Sequence, residues 1–247
     1  MTKALITNDD GIDSPGLHRL AQMAIDAGLE VAIAGPSSQS SGSSASILGA
    51  GPDGRVPFAR RELEGFDVPV FAVDAAPALI SLIAAHGAFG FVPDIVFSGV
   101  NRGANVGHAI LHSGTVGAAL TAGVNGARGL AVSLDVGMDP ESCLWDAAAP
   151  HVARLVPMLL EHPPGTVFNL NVPNVSTATE LREGPLAAFG IVQTLTAVGG
   201  DEDVRLEVSD TPADQDAGTD AALLREGFAT LTSITSVLEA REPVLTS

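Results

Sequence analysis

A layered α/β fold, with a mostly parallel sheet covered by helices on both faces, is predicted by three features of this 247-residue chain. Short apolar runs alternate with helix-length amphipathic segments through the first two-thirds. The strand-like runs are continuously apolar, as strands buried on both faces are, and Gly or Pro punctuates their ends. Ala4–Thr7 reads as the first strand, and Pro15–Ala27 as a helix stopped at Gly28. Val31–Ala34 is a strand closed by Gly35 and Pro36, and residues 37–54 form a Ser- and Gly-rich loop beyond its carboxyl end. Val68–Val73 is strand-like, and Pro77–Ala85 is a helix with proline at its start. Asp94–Ser98 and Leu130–Leu134 read as strands around a helix at Thr115–Val124. Ser142–Leu160 reads as a longer helix, interrupted or kinked at Pro150 and Pro157. Val167–Val172 is another strand.

Beyond Pro173 the texture changes. Ile191–Val198 and Val204–Val208 suit a hairpin, and Phe228–Ile234 a late strand. Helix–strand alternation is not visible there, so the tail reads as an extension packed on the core or on a neighbouring subunit. It is acidic, with nine acids and two arginines in residues 201–226.

Composition narrows the function. Acids number 29 against 12 bases, for a formal charge of −17. Lys3 is the single lysine, and no basic patch offsets the acidity, which argues against a duplex nucleic-acid partner. Cys143 stands alone, which excludes an internal disulfide framework and a cysteine zinc cluster. The Ala4–Ile6 run is too short for a signal peptide, and Leu79–Val92 falls short of a membrane span. The expectation is a soluble, cytoplasmic protein without a membrane partner.

Ligands of parallel α/β sheets bind outside the carboxyl ends of the strands. Three polar loops fall there: Thr7–Gly11, Ser37–Gly42 and Ser98–Gly107, the last running into His112–Gly117. Asp9 and Asp10 stand side by side, which is costly without a positive charge between them. Asn-Asp-Asp-Gly alone suits a capping turn as well as a cation site. In the second reading, oxygen donors favour Mg²⁺, Mn²⁺ or Ca²⁺ over Zn²⁺, and Asn101 and a loop serine add neutral ligands. Ser113, Gly114 and Thr115 open a helix of small residues, an anion cradle that needs no lysine and equally an ordinary cap. His112 beside it can donate a proton to a leaving oxygen or satisfy a backbone group. Walker, G-x-S-x-G and H-E-x-x-H patterns are absent. Carboxylates, neutral oxygens and an anion cradle together suit metal-assisted phosphoryl hydrolysis.

The segments Thr7–Ile12 with Pro15-Gly16, Ser98–Asn105, His112–Ala119, Asn169–Pro173 and Thr219–Ala222 together resemble the SurE family of 5′/3′-nucleotidases. The resemblance implies a Rossmann-like catalytic core, placed at 1–175. It also implies a C-terminal hairpin and oligomerisation arm at 176–247, within one functional unit that forms a homodimer or homotetramer. It implies hydrolysis of nucleoside 5′- or 3′-monophosphates with one Mg²⁺ or Mn²⁺ per subunit, held by Asp9, Asp10, Ser41 and Asn101. Asn8, Asn105, Ser113, Gly114 and Thr115 fall on residues around the substrate phosphate, with Asp9, Asp10 and Asn8 the catalytic group. The chain departs from the family at Ser37 and Ser40, where Asp and Arg are usual, and at Ala75-Ala76. It also lacks tyrosine. A nucleotide-binding protein with lost turnover is the alternative, and a nucleotide-sugar transferase a more distant one.

Overall fold

The computed structural model describes residues 1–49, 51, 53–137, 142–188, 195–199, 204–208 and 217–239. Strands β1 (Lys3–Thr7) and β2 (Glu30–Pro36) enclose helix α1 (Pro15–Asp26). Then follow β3 (Phe58–Arg61), β4 (Val70–Val73), α2 (Pro77–Ala85) and β5 (Ile95–Arg102). A 3-10 turn at Gly107–His112 leads into α3 (Gly114–Val124), followed by β6 (Arg128–Asp135). A second 3-10 turn at Trp145–Ala148 precedes α4 (Ala149–Glu161) and β7 (Val167–Pro173). The chain continues through β8 (Leu181–Glu183), β9 (Leu195–Gly199), β10 (Val204–Val208), α5 (Asp220–Arg225) and β11 (Ala229–Ile234).

Among the described residues the main sheet has nine strands in the order β3-β4-β2-β1-β5-β6-β7-β11-β8. The six from β4 to β7 run parallel, while β3 is antiparallel to β4 and β11 to β7. Side-chain alternation divides the core. Ala4, Ile6, Val31 and Ile33 join Leu17 and Leu20 of α1 and Leu155 and Leu159 of α4 on one face. Leu5, Ala34 and Val96 join Leu79 and Ile80 of α2 on the other. A parallel sheet with helices on both faces is therefore what the apolar runs specify.

Three local features differ from the sequence reading. The predicted long helix begins at Ala149, because Pro150 is accommodated only in a first turn. Pro157 lies inside α4. The exposed edge strand β3, Phe-Ala-Arg-Arg, carries no buried face that a hydrophobic pattern would reveal. The tail does alternate after all. β8 leads through α5 to β11, which pairs parallel with β8 and antiparallel with β7. With three residues in β8 and six in α5, neither is long enough to display a period. β9 and β10 pair antiparallel as their own small sheet, with Val204 opposite Gly199. The 191–194 part of the predicted hairpin lies outside the described residues. Among the described residues no helix is long and apolar enough to cross a membrane.

Candidate active site

The sheet face toward α3 turns polar at its carboxyl end. Thr7 pairs with Ser98, Ser98 with Ala131, Ala131 with Asn169, and Asn169 with Thr232. One step onward, Ser133, Asn171 and Thr230 share a row. All of these polar side chains are buried. The ladder of β5 slips between Ser98 and Asn101, and the loop beyond it carries Asn105 over this polar shelf.

Asp9 lies at the end of β1, only 5% exposed, against the N-terminus of α3. Thr115 donates to it twice, from Oγ1 to Oδ1 at 2.6 Å and from its backbone N–H to Oδ2 at 3.2 Å. Burial pushes the Asp9 carboxyl above its ordinary value, opposed by the Thr115 hydroxyl and reinforced by the charge of Asp10. Asp10 is half-buried, and burial raises it too, against the Arg102 N–H that reaches Oδ2 at 3.3 Å and the Arg102 charge. Among the described residues neither aspartate forms an ion pair.

The serine loop returns to these carboxylates. The Ser40 N–H donates to the Asp9 carbonyl at 2.7 Å. Gly114 permits the approach: a Cβ there would stand 2.6 Å from Ser43 Oγ and 2.8 Å from Asp9 Oδ2. Likewise a Cβ on Gly117 would stand 2.3 Å from the Ser44 carbonyl oxygen. Ser43 Oγ and Asn8 Oδ1 are buried without a hydrogen-bond partner, although Asn8 Nδ2 donates to the Gly11 carbonyl at 3.0 Å. Buried polar atoms left unpaired beside raised carboxylates are a ligand-binding arrangement.

Of the sequence-predicted residues, Asp9, Ser113, Gly114 and Thr115 meet at the α3 N-terminus. Thr115 serves Asp9. Ser113 caps α3 by accepting from the Val116 N–H at 3.1 Å, which leaves its hydroxyl proton available. Asn101 Nδ2 donates to the Gly103 carbonyl at 2.7 Å. Asn105 Nδ2 donates to Ser133 Oγ at 2.8 Å. Ser41 is exposed and accepts from Gln39 Nε2 at 2.9 Å, with no hydrogen bond to either aspartate among the described residues. His112 is exposed. Ser43 and Ser133 escaped the sequence reading, and Asn169 and Asn171 entered it only within a family-like segment, without a role. Counting alternate residues back from Asn169 and Asn171 would have found the polar shelf.

Among the described residues no group of three or more His, Cys, Asp or Glu side chains converges on one point. The donors at the carboxylates are therefore two acids and neutral oxygens. That set suits a hard divalent cation, and the unpartnered Ser43 Oγ and Asn8 Oδ1 are consistent with one. A cleft of about 610 Å³ runs along the serine loop, between Ser38, Ser41 and Ser43 on one side and Asp74, Ala75 and Ala76 on the other.

A Rossmann-like sheet with a carboxylate pair and a helix N-terminus at its strand ends defines the class of protein. The comparisons define the family. Residues 4–191 match the family described as survival protein SurE. The chain is 41% identical over 176 residues to the 5′-nucleotidase SurE of Symbiobacterium thermophilum, covering 70% of this chain and 66% of that protein. It is 35% identical over 243 residues to the 5′-nucleotidase SurE of Chloroflexus aggregans, covering 93% and 91%. The crystal structure of the SurE protein from Aquifex aeolicus superposes with a TM-score of 0.69 at 23% identity, covering 94% of this chain and 93% of that one. This chain belongs to the SurE family.

Proposed function

We propose that the chain is a metal-dependent phosphomonoesterase that hydrolyses nucleoside 5′- and 3′-monophosphates to nucleoside and phosphate. The relatives named as 5′-nucleotidases support the reaction class. The observation that carries it is the buried Asp9 beside Asp10, with Gly114 and the unpartnered Ser43 hydroxyl against the same carboxylate. Asp9, Asp10, Asn101 and a serine of the 40–43 loop would hold one Mg²⁺ or Mn²⁺, and by family position that serine is Ser41. When bound, such a cation withdraws charge from phosphoryl oxygens and lowers the pKa of a bound water.

The chain's own groups complete the site. Thr115 fixes the Asp9 carboxylate in orientation, so both oxygens point where the two hydrogen bonds direct them. Ser113 Oγ–H and the Gly114 N–H at the start of α3 face the phosphoryl oxygens as donors. Asn105 and Asn8 orient the ester, and the cleft beside Asp74 takes the leaving nucleoside. The C-terminal hairpin and the acidic tail serve as an oligomerisation arm outside the 1–175 core.

The test is phosphate release from a panel of nucleoside monophosphates with Mn²⁺, with Mg²⁺ and with chelator. Metal-dependent turnover that Asp9→Asn abolishes is expected. Equal activity of wild type and variant would sink the assignment. Tight nucleotide binding without phosphate release would identify a binding protein that has lost turnover.

A further inference from the structure

Residues 103–113 link the end of β5 to the α3 N-terminus through irregular backbone and one 3-10 turn. The segment is gripped from two directions by buried side chains that the reaction itself does not use. From β7, Asn171 pairs with the backbone of Asn105 as a neighbouring strand would. Its Oδ1 accepts from the Asn105 N–H at 2.7 Å, and its Nδ2 donates to the Asn105 carbonyl at 2.8 Å. Asn169 Nδ2 donates to the same carbonyl at 2.8 Å.

From α5, the fully buried Asp220 accepts three backbone hydrogen bonds. Oδ2 takes the Gly107 N–H at 2.9 Å, and Oδ1 takes those of Ala187 at 2.8 Å and Ala221 at 2.7 Å. The His108 N–H reaches the Ala187 carbonyl at 3.0 Å, which ties a second point of the turn to the same strap. Val106, Ala187, Ala221 and Leu224 form an apolar cluster around this junction. A carboxyl group without solvent is held in a protein only where donors replace its water, and here all three come from main chain.

The gripped turn in turn holds the serine loop. Ser44 Oγ donates to the Leu111 carbonyl at 2.6 Å, and the Ser44 N–H to the His112 carbonyl at 3.3 Å. Ser43, the residue before it, carries the unpartnered hydroxyl that shares the Gly114 surface with Asp9. Both phosphate-facing elements, the α3 N-terminus and the serine loop, therefore take their placement from one segment.

We propose that Asp220 and Asn171 are positioning residues of the active site. They set the path of residues 105–113, and through it the spacing between Ser113–Gly114 and the serine loop. The inference rests on the phosphomonoesterase reading for its kinetic consequence, though not for its geometry. A mere anchor would alter stability alone. A positioning role alters how the folded enzyme holds phosphate, since misplacing such donors by about 1 Å costs up to about 100-fold in rate.

Asp220→Asn and Asn171→Ser should be compared with Thr179→Val, which removes the hydroxyl bonded to His151 at 2.8 Å, away from the site. The readouts are melting temperature, kcat, KM for p-nitrophenyl phosphate and inhibition by inorganic phosphate. At a temperature where all are folded, both site variants should lose about 10-fold or more in kcat/KM, with KM and the phosphate inhibition constant both raised. Thr179→Val should lower only the melting temperature. Kinetic constants within about twofold of wild type in a folded site variant overturn the proposal. If Asp220→Asn does not fold, Asn171→Ser decides. If wild type shows no phosphatase activity, the phosphomonoesterase reading fails and amide exchange decides the positioning. Faster exchange in Asn171→Ser over residues 43–46 and 105–115, absent in Thr179→Val, supports it, and unchanged exchange refutes it.

Discussion

The two flanks of the α3 N-terminus are built on opposite terms. On the β1 side, Asp9 and Asp10 are raised by burial, and Ser43 Oγ and Asn8 Oδ1 lack partners. On the β6–β7 side, Asn105, Asn171 and Ser133 bond one another at 2.7 to 2.8 Å. Both flanks are buried and polar, and Asn169 Oδ1 and Thr230 Oγ1 lack partners on the second, but only the first sets unpartnered oxygens beside buried carboxylates. Buried carboxylates with unpartnered oxygens are costly in the free protein and are where a cation and a phosphate gain most. The bonded asparagines of the second flank hold shape.

The sharpest way to break the comparison is to remove the charge on the carboxylate side. Asp9→Asn should cut metal-dependent phosphate release by at least about 100-fold while the circular dichroism melt stays cooperative. A substitution that only displaces the serine loop should act next. In Gly117→Ala the new methyl meets the Ser44 carbonyl, so a loss of about 1–3 kcal/mol in urea titration and a weaker metal response are expected. Thr115→Val removes the hydroxyl that holds Asp9 down, at a cost of about 1.5–3 kcal/mol for a bond to a charged group. It should also move the Asp9 carboxyl titration of the metal-free protein to higher pH by NMR, because that hydroxyl opposes the effect of burial.

The smallest effect lies away from both flanks. His151 is buried and bonded to Thr179 Oγ1 at 2.8 Å, and burial with the Arg154 charge lowers its pKa. A lowered histidine means the unfolded chain takes up the proton first. Its stabilising contribution is present above about pH 6.5 and is lost as pH falls toward the folded value. Urea midpoints should therefore drop on mild acidification, less so in His151→Asn, with the site unaffected.

Apolar strand runs and proline-started helices revealed the central sheet, because six parallel strands covered on both faces have little freedom in pattern. Motif loops at strand ends placed Asp9, Asp10, Asn101 and Ser113–Thr115 together before any geometry was known. The residues that escaped are those whose meaning is tertiary. Ser43 is one serine among several in its loop, and only the glycine at 114 distinguishes it. Asp220 enters the sequence reading only within the family-like segment Thr219–Ala222, without a role of its own, and its hydrogen bond from Gly107 spans 113 residues. Thr115 shows the converse: a predicted phosphate donor gives its N–H and hydroxyl to the neighbouring carboxylate, since Asp9 reaches the helix first.

Among the described residues the last strand in chain order is not the last in the sheet. β11 lies between β7 and β8, so β8 has nothing to pair with until residues near 229 exist. A nascent chain paused before that point holds β7 as a raw edge, open to any other strand. It also lacks Asp220 or has it undocked, so the turn at Gly107 is unheld. The order of synthesis thus withholds the assembled site until α5 and β11 have been made. During that interval the edge of β7 is the surface most in need of protection from aggregation.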